Sequence, residues 1–157
     1  MKQMLSFLVV VSLLTTLSAC SAKKPPEVAA IKSRNMLAVL RDLDHAYEKK
    51  DLSGFMAQVS PLYQNREAFS SSVAAVFSKY DDVTLNIQYP KMLILIEDKG
   101  QVRTTFNWDS VVRTSVGEAL KNSGRVTLIF APGDLKLLAV EGRNPFLPQQ
   151  GETPGKP

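Results

Sequence analysis

Val83-Thr84-Leu85-Asn86-Ile87-Gln88-Tyr89 alternates apolar and polar residues one by one, and it is where the chain changes its period. Successive side chains of a strand point to opposite faces, so Val83, Leu85, Ile87 and Tyr89 share one face and Thr84, Asn86 and Gln88 the other. This predicts a half-buried strand, ended by Pro90. Beyond it, Met92 to Ile96 reads as a short, wholly apolar strand. Asp98-Lys99-Gly100 then predicts a hairpin turn in which glycine supplies the positive φ. The return strand runs from Gln101 to Trp108, with Val102, Thr104, Phe106 and Trp108 on one face and Arg103, Thr105 and Asn107 on the other. Residues 109–124 read two ways: Val111, Val112 and Thr114 suit a strand, Glu118 to Lys121 a helical turn, and Asn122-Ser123-Gly124 a turn. Arg125 to Phe130 alternates again, Pro132-Gly133-Asp134 reverses the chain, and Leu135 to Glu141 is the last strand.

Upstream the period is helical. Between Ser33 and Tyr47, Met36, Leu40, Leu43 and Tyr47 recur at offsets of 0, 4, 7 and 11, one stripe of an amphipathic helix. Asp51 caps a shorter helix carrying Phe55, Met56 and Val59, which Pro61 stops. Asn65 or Arg66 opens a third, with Phe69, Val73, Val76, Phe77 and Tyr80 on its stripe and Ser70, Ser71 and Ser72 on or near its wet side. Helices first and antiparallel strands afterwards make an α+β fold, N-terminal helices packed in a curved antiparallel sheet. There is no internal repeat.

The first segment is different in kind. Lys2 precedes an apolar run from Met4 to Leu14, and small residues follow at Ser18 and Ala19, which is a secretory signal pattern. The run is about half the ~20 residues a membrane-spanning helix needs, although no charge interrupts Gln3 to Ala22 and an uncleaved anchor is the alternative. Leu17-Ser18-Ala19-Cys20 resembles the lipobox of bacterial lipoproteins. A cysteine thiol is readily alkylated, and small residues before it fit a peptidase cleft. The resemblance implies a signal peptide over residues 1–19 and a lipidated Cys20. Its two or three acyl chains, of the palmitate kind, would anchor firmly at ~0.8 kcal/mol per buried methylene. Residues 20–32 then read as a tether, Lys23-Lys24-Pro25-Pro26 being extended and solvated or resting on anionic head groups. The domain follows over 33–147, and 148–157, rich in Gln, Gly and Pro, reads as a disordered tail. The expected location is the bacterial cell envelope. In a host with two membranes Ser21 favours the outer one, facing the periplasm, because an Asp there would resemble an inner-membrane retention signal.

Composition narrows the chemistry. The chain has 157 residues, 45% of them apolar, enough for one domain with a core. One Cys and one His exclude an intramolecular disulfide and a Cys/His zinc site. The net charge of +4 is scattered, falls by one when Lys2 leaves, and argues with the export signal against nucleic acid as a partner. No metal and no cofactor is expected from the motifs present.

The order of three helices then strands, Asp51 after helix one, the Asp98 to Gly100 hairpin and the closing Glu141-Gly142-Arg143-Asn144-Pro145-Phe146 resemble bacterial members of the nuclear transport factor 2-like superfamily. The likeness covers about residues 33–147. Such members often carry Trp at the start of the last strand, where this chain has Leu137 or Leu138. The resemblance implies a cone between helix one and the sheet, pairing of two copies through the sheet, and either an isomerase or dehydratase or a non-catalytic binding domain, since one fold serves all of these.

An enzyme of that kind needs a carboxylate or imidazole inside the cone. His45 stands off the Met36/Leu40/Leu43/Tyr47 stripe and reads first as a surface histidine. Asp42 and Asp44 read as part of a polar face with Arg41 and Glu48. Asp109, just beyond Trp108, is the better candidate if it lies at the mouth of the sheet, and otherwise a turn or cap. Tyr89, Phe106, Trp108 and Phe130 are candidate ligand-binding residues, or else the core face of the sheet. Arg103, Arg125 and Lys136 share an outward parity that would suit an acidic partner, or simply water. The leading expectation is a lipid-anchored envelope protein whose domain binds a protein partner or small apolar ligand without catalysis. The alternatives are a pocket enzyme of isomerase or dehydratase type and a structural component of an envelope assembly.

Overall fold

A computed structural model describes residues 26–97 and 99–148 of the chain. The expected signal segment, Cys20, most of the expected tether, Asp98 of the hairpin turn and the tail from residue 149 lie outside the described residues. Helix α1 spans Pro26–Glu48 and so starts ahead of Ser33: Pro26–Lys32, expected in an extended tether, is helical. Proline at a first helical position surrenders no hydrogen bond, and its fixed φ already suits a helix. Within the unit that begins at Ile31, Met36, Leu40, Leu43 and Tyr47 are buried to 1% exposure or less, the predicted stripe.

Helix α2, Leu52–Ala57, starts where the Asp51 carboxylate accepts the Gly54 N–H at 2.9 Å. It ends before Val59, which instead makes an isolated parallel bridge to Leu137. Helix α3, Arg66–Lys79, follows Asn65 in a left-handed conformation and buries Phe69, Val73 and Phe77. Ser71 and Ser72 are exposed.

Five strands follow: β1 Asp82–Ile87, β2 Leu93–Ile96, β3 Val102–Arg113, β4 Ala119–Phe130 and β5 Leu137–Gly142. The antiparallel sheet runs β1-β3-β4-β5, and β2 also pairs with β3. β4 occupies one side of β3, so β1 (opposite Trp108 to Arg113) and β2 (opposite Val102 to Thr105) share the other side end to end. β1 alternates exposed and buried as its sequence predicts. The chain leaves it through a short 3-10 turn, Tyr89–Lys91.

Residues 109–124 differ most from expectation. Asp109 to Arg113 continue β3, Gly117 at φ +83° serves the reversal, and Thr114 N–H donates to Glu118 at 3.0 Å. Asn122-Ser123-Gly124 is no turn but the middle of β4. Gly124 lies opposite Trp108, where a Cβ would come within 3.2 Å of the indole Cζ2 and 2.9 Å of Arg143 Cδ. The glycine is there for close approach inside a strand. β5 begins at Leu137 rather than Leu135, since Ala131 N–H closes onto Lys136 O at 2.8 Å and Leu135 has φ +53°.

The inner sheet face, among it Val83, Leu85, Phe106, Trp108 and Phe130, forms one buried cluster with the stripes of α1 and α3. The closing segment Arg143–Phe146 seals it. Trp108 Nε1–H donates to Arg143 O at 3.2 Å, and the Tyr47 hydroxyl donates to Phe146 O at 3.1 Å. The Phe146 ring meets Tyr47 and Phe55 edge-on, with centroids 5.3 and 5.0 Å apart.

Candidate functional site

Three of the four aromatic candidates lie in the core. Phe106, Trp108 and Phe130 are 2, 1 and 0% exposed, with the indole N–H already engaged by Arg143 O. Trp108 and Phe106 come from alternate positions of β3, and Phe130 from the end of β4. Tyr89 alone keeps open surface, because it sits on the 3-10 turn after β1 rather than in a strand.

The two polar candidates are solvated and apart. His45 is exposed in the last turn of α1. Asp109 is at mid-strand rather than at a strand end. It points outward from β3, is exposed, and accepts a hydrogen bond from Gln88 Nε2 at 3.1 Å.

Asp44, expected on the polar face of α1, is half-buried. Its Oδ1 is buried and has no hydrogen-bond partner. Burial first, and the neighbouring Glu48 carboxylate second, push its pKa up to about 7. Glu48 is held in place because its Oε1 accepts the Leu85 N–H of β1 at 3.0 Å. Tyr89 belongs to the same neighbourhood: burial raises its hydroxyl pKa, the charges of Asp44 and Glu48 raise it further, and Arg41 opposes them. A carboxyl near neutrality beside a phenol and a second carboxylate can exchange a proton or receive a ligand's donor group. The signal was in the sequence. Asp44 lies at offset 8 from Met36, as Phe77 does from Phe69, and Phe77 is buried.

A second polar spot lies on the inner sheet face. Ser110 and Asn122 are direct partners in the β3–β4 register, 3 and 7% exposed, and Ser110 Oγ and Asn122 Nδ2 have no hydrogen-bond partner. Among the described residues no group of three or more His, Cys, Asp or Glu side chains could hold a metal ion, and no helix is long and apolar enough to cross a membrane.

The outer sheet face is polar over its middle and apolar at one margin. Arg103 and Arg125 do share that face, but Arg103 is paired with Glu141 and lies 3.8 Å from Glu97, and Lys136 stands outside the strands. The expected basic stripe is therefore broken. Leu93 and Leu95 of β2, on the same face, are 62 and 54% exposed.

No family model matches the sequence, and no curated protein does. Solved structures do match. A nuclear transport factor 2-like superfamily protein from Salmonella enterica aligns over 82% of this chain and 99% of its own, with a TM-score of 0.59 and 16% identity. A Catenulispora acidiphila protein in complex with S-DNPA aligns over 72% and 94%, with a TM-score of 0.56 and 17% identity. Aln2 from a Streptomyces species aligns over 77% and 92%, at 0.53 and 17%. At such identity the likeness is one of fold: the chain carries an α+β domain of the nuclear transport factor 2-like fold.

Proposed function

We propose that this protein is a lipid-anchored component of a bacterial envelope whose domain binds a partner protein through the outer face of its sheet and carries out no chemistry. One observation supports the binding role above the others. Phe106, Trp108 and Phe130, the side chains a ligand in the cone would need, are used up by the core, while His45 and Asp109 stand in water. The outer face, by contrast, offers exposed Asn107, Asp109 and Arg125 beside the open leucines of β2. Such a mixture of apolar and hydrogen-bonding groups suits a non-obligate contact. The anchor rests on Leu17-Ser18-Ala19-Cys20 behind an apolar run.

A photo-reactive side chain at Asn107, in cells, should yield a cross-linked adduct of defined mass, and the same group at Ser71 on α3 should not. Equal yields at both positions would reject the outer face. For the anchor, Cys20→Ser should abolish incorporation of labelled fatty acid and leave a precursor of higher mass; undiminished labelling would reject it.

Asp44 favours a second reading, a small-molecule site in which this carboxyl, rather than Asp109 or His45, serves as acid or base. That reading requires Asp44→Asn to remove binding of a small ligand while the adduct at Asn107 persists.

A further inference from the structure

The free sides of the sheet are treated differently. On β5, the Leu137 N–H donates to Gln58 O and Leu137 O accepts the Ser60 N–H, each at 2.8 Å, so the segment after α2 covers the start of that strand. On β1, Glu48 accepts the Leu85 N–H. β2 pairs with β3 alone, and among the described residues nothing bonds to its other side. The Glu97 N–H donates toward β3, to Gln101 O at 2.9 Å. Backbone groups alternate in direction along a strand, so Leu93 and Leu95 also address β3, and Ile94 and Ile96 turn their N–H and C=O groups to the open side. A groove of about 670 Å³, lined by Leu95, Ile96, Glu97, Lys99 and Gln101, runs along this corner.

We infer that the partner protein engages the outer face by adding a strand of its own to this edge, an extended segment of alternating apolar residues with an acidic residue at each end. The inference rests on the reading of the outer face as a docking surface and specifies how that surface is held. The backbone selects the conformation. Ile94 and Ile96 each present a donor and an acceptor, two residues and about 6.8 Å apart, a spacing that an extended chain matches residue for residue. The side chains select the apolar alternation. A strand added at this edge lays every second side chain beside Leu93 and Leu95 on the outer face and covers both leucines. Charge selects the ends. Lys91 and Lys99 are exposed at the two ends of β2, whereas Glu97, the anion lining the groove, lies 3.8 Å from Arg103. An edge that is apolar in the middle and cationic at its ends complements a segment with acidic ends and discriminates against one with basic ends.

The probe is the peptide acetyl-Asp-Val-Thr-Val-Thr-Val-Asp-amide, added to the full chain in mild detergent. With its valines beside the leucines, its threonines fall opposite Ile94 and Ile96. Amide hydrogen exchange at Ile94 and Ile96 should slow about fivefold or more at saturation, with little change at Leu93 and Leu95, whose N–H groups already bond to β3. N-methylation of both threonines should abolish this protection, and lysine in place of both aspartates should weaken binding about tenfold. Ile94→Pro removes one outward N–H and keeps the bonds to β3, so in cells it should cut the photo-adduct at Asn107 about fivefold while the circular dichroism spectrum holds. An adduct undiminished in this variant overturns strand addition and leaves the outer face standing as a docking surface. Peptide protection without any adduct at Asn107 in the unaltered chain keeps strand addition and rejects the outer-face reading alone. Unchanged exchange at Ile94 and Ile96 overturns the inference. So does protection that grows with protein concentration in the absence of peptide, because a second copy would then hold the edge.

Discussion

Asp44 and Gly124 show how much a single position can depend on what stands across from it. The helical offset of Asp44 from Met36 turns it toward the core, and Glu48, one turn further along α1 and bound to the Leu85 N–H of β1, lies alongside it. The folded protein therefore keeps a proton on Asp44 that the unfolded chain, with a pKa of 3.8, releases. Stability is full below that value and is lost as the pH rises through about 7. Asp44→Asn should erase this slope and stabilise the protein by about 1 kcal/mol near pH 8, a figure reduced for screening of a part-exposed group, with little change near pH 3. Urea unfolding at the two pH values checks it, and equal effects at both would contradict the burial argument. Gly124 reads as a turn residue until Trp108 is placed opposite. Gly124→Ala then puts a methyl group against the indole and the Arg143 side chain, and should cost about 1–3 kcal/mol by overpacking. Denaturant midpoints at constant slope are the readout.

At the scale of elements, what was legible had a local cause. The α2 start was legible because Asp51 supplies the cap itself, and Asp51→Ala should lower stability by about 1 kcal/mol without altering the native far-ultraviolet spectrum. β1 was legible because alternation is a property of one strand. The β3–β4 reversal was not. Ala119, Leu120 and Lys121 suit more than one conformation, and their strand identity comes from twelve-residue pairing across Val102–Arg113 and Ala119–Phe130, which no short window contains. α1 extended past its expected start for a related reason: the paired prolines read as an extended tether, but the second of them can also open a helix.

For the whole molecule, the closing residues Arg143–Phe146 hold helix and sheet together. Phe146 is 1% exposed and wedges its ring between Tyr47 and Phe55, while its carbonyl takes the Tyr47 hydroxyl. Phe146→Ala should cost about 3–5 kcal/mol, and Tyr47→Phe about 1 kcal/mol. Thermal unfolding of both variants, followed by circular dichroism and the emission of buried Trp108, tests whether this segment is a lock or merely a covering. Fold class, the three helices, the first strand and the Asp51 cap could be read from the chain alone, because each depends on periodicity or on residues a few positions apart. Tertiary structure decided the rest: that three aromatic candidates are core, that Asp109 faces water, that one carboxylate oxygen of Asp44 does not, and that β2 is left with an open side. Each of those outcomes is a matter of which surface lies opposite, and the pairing of distant segments is a property that only the folded chain possesses.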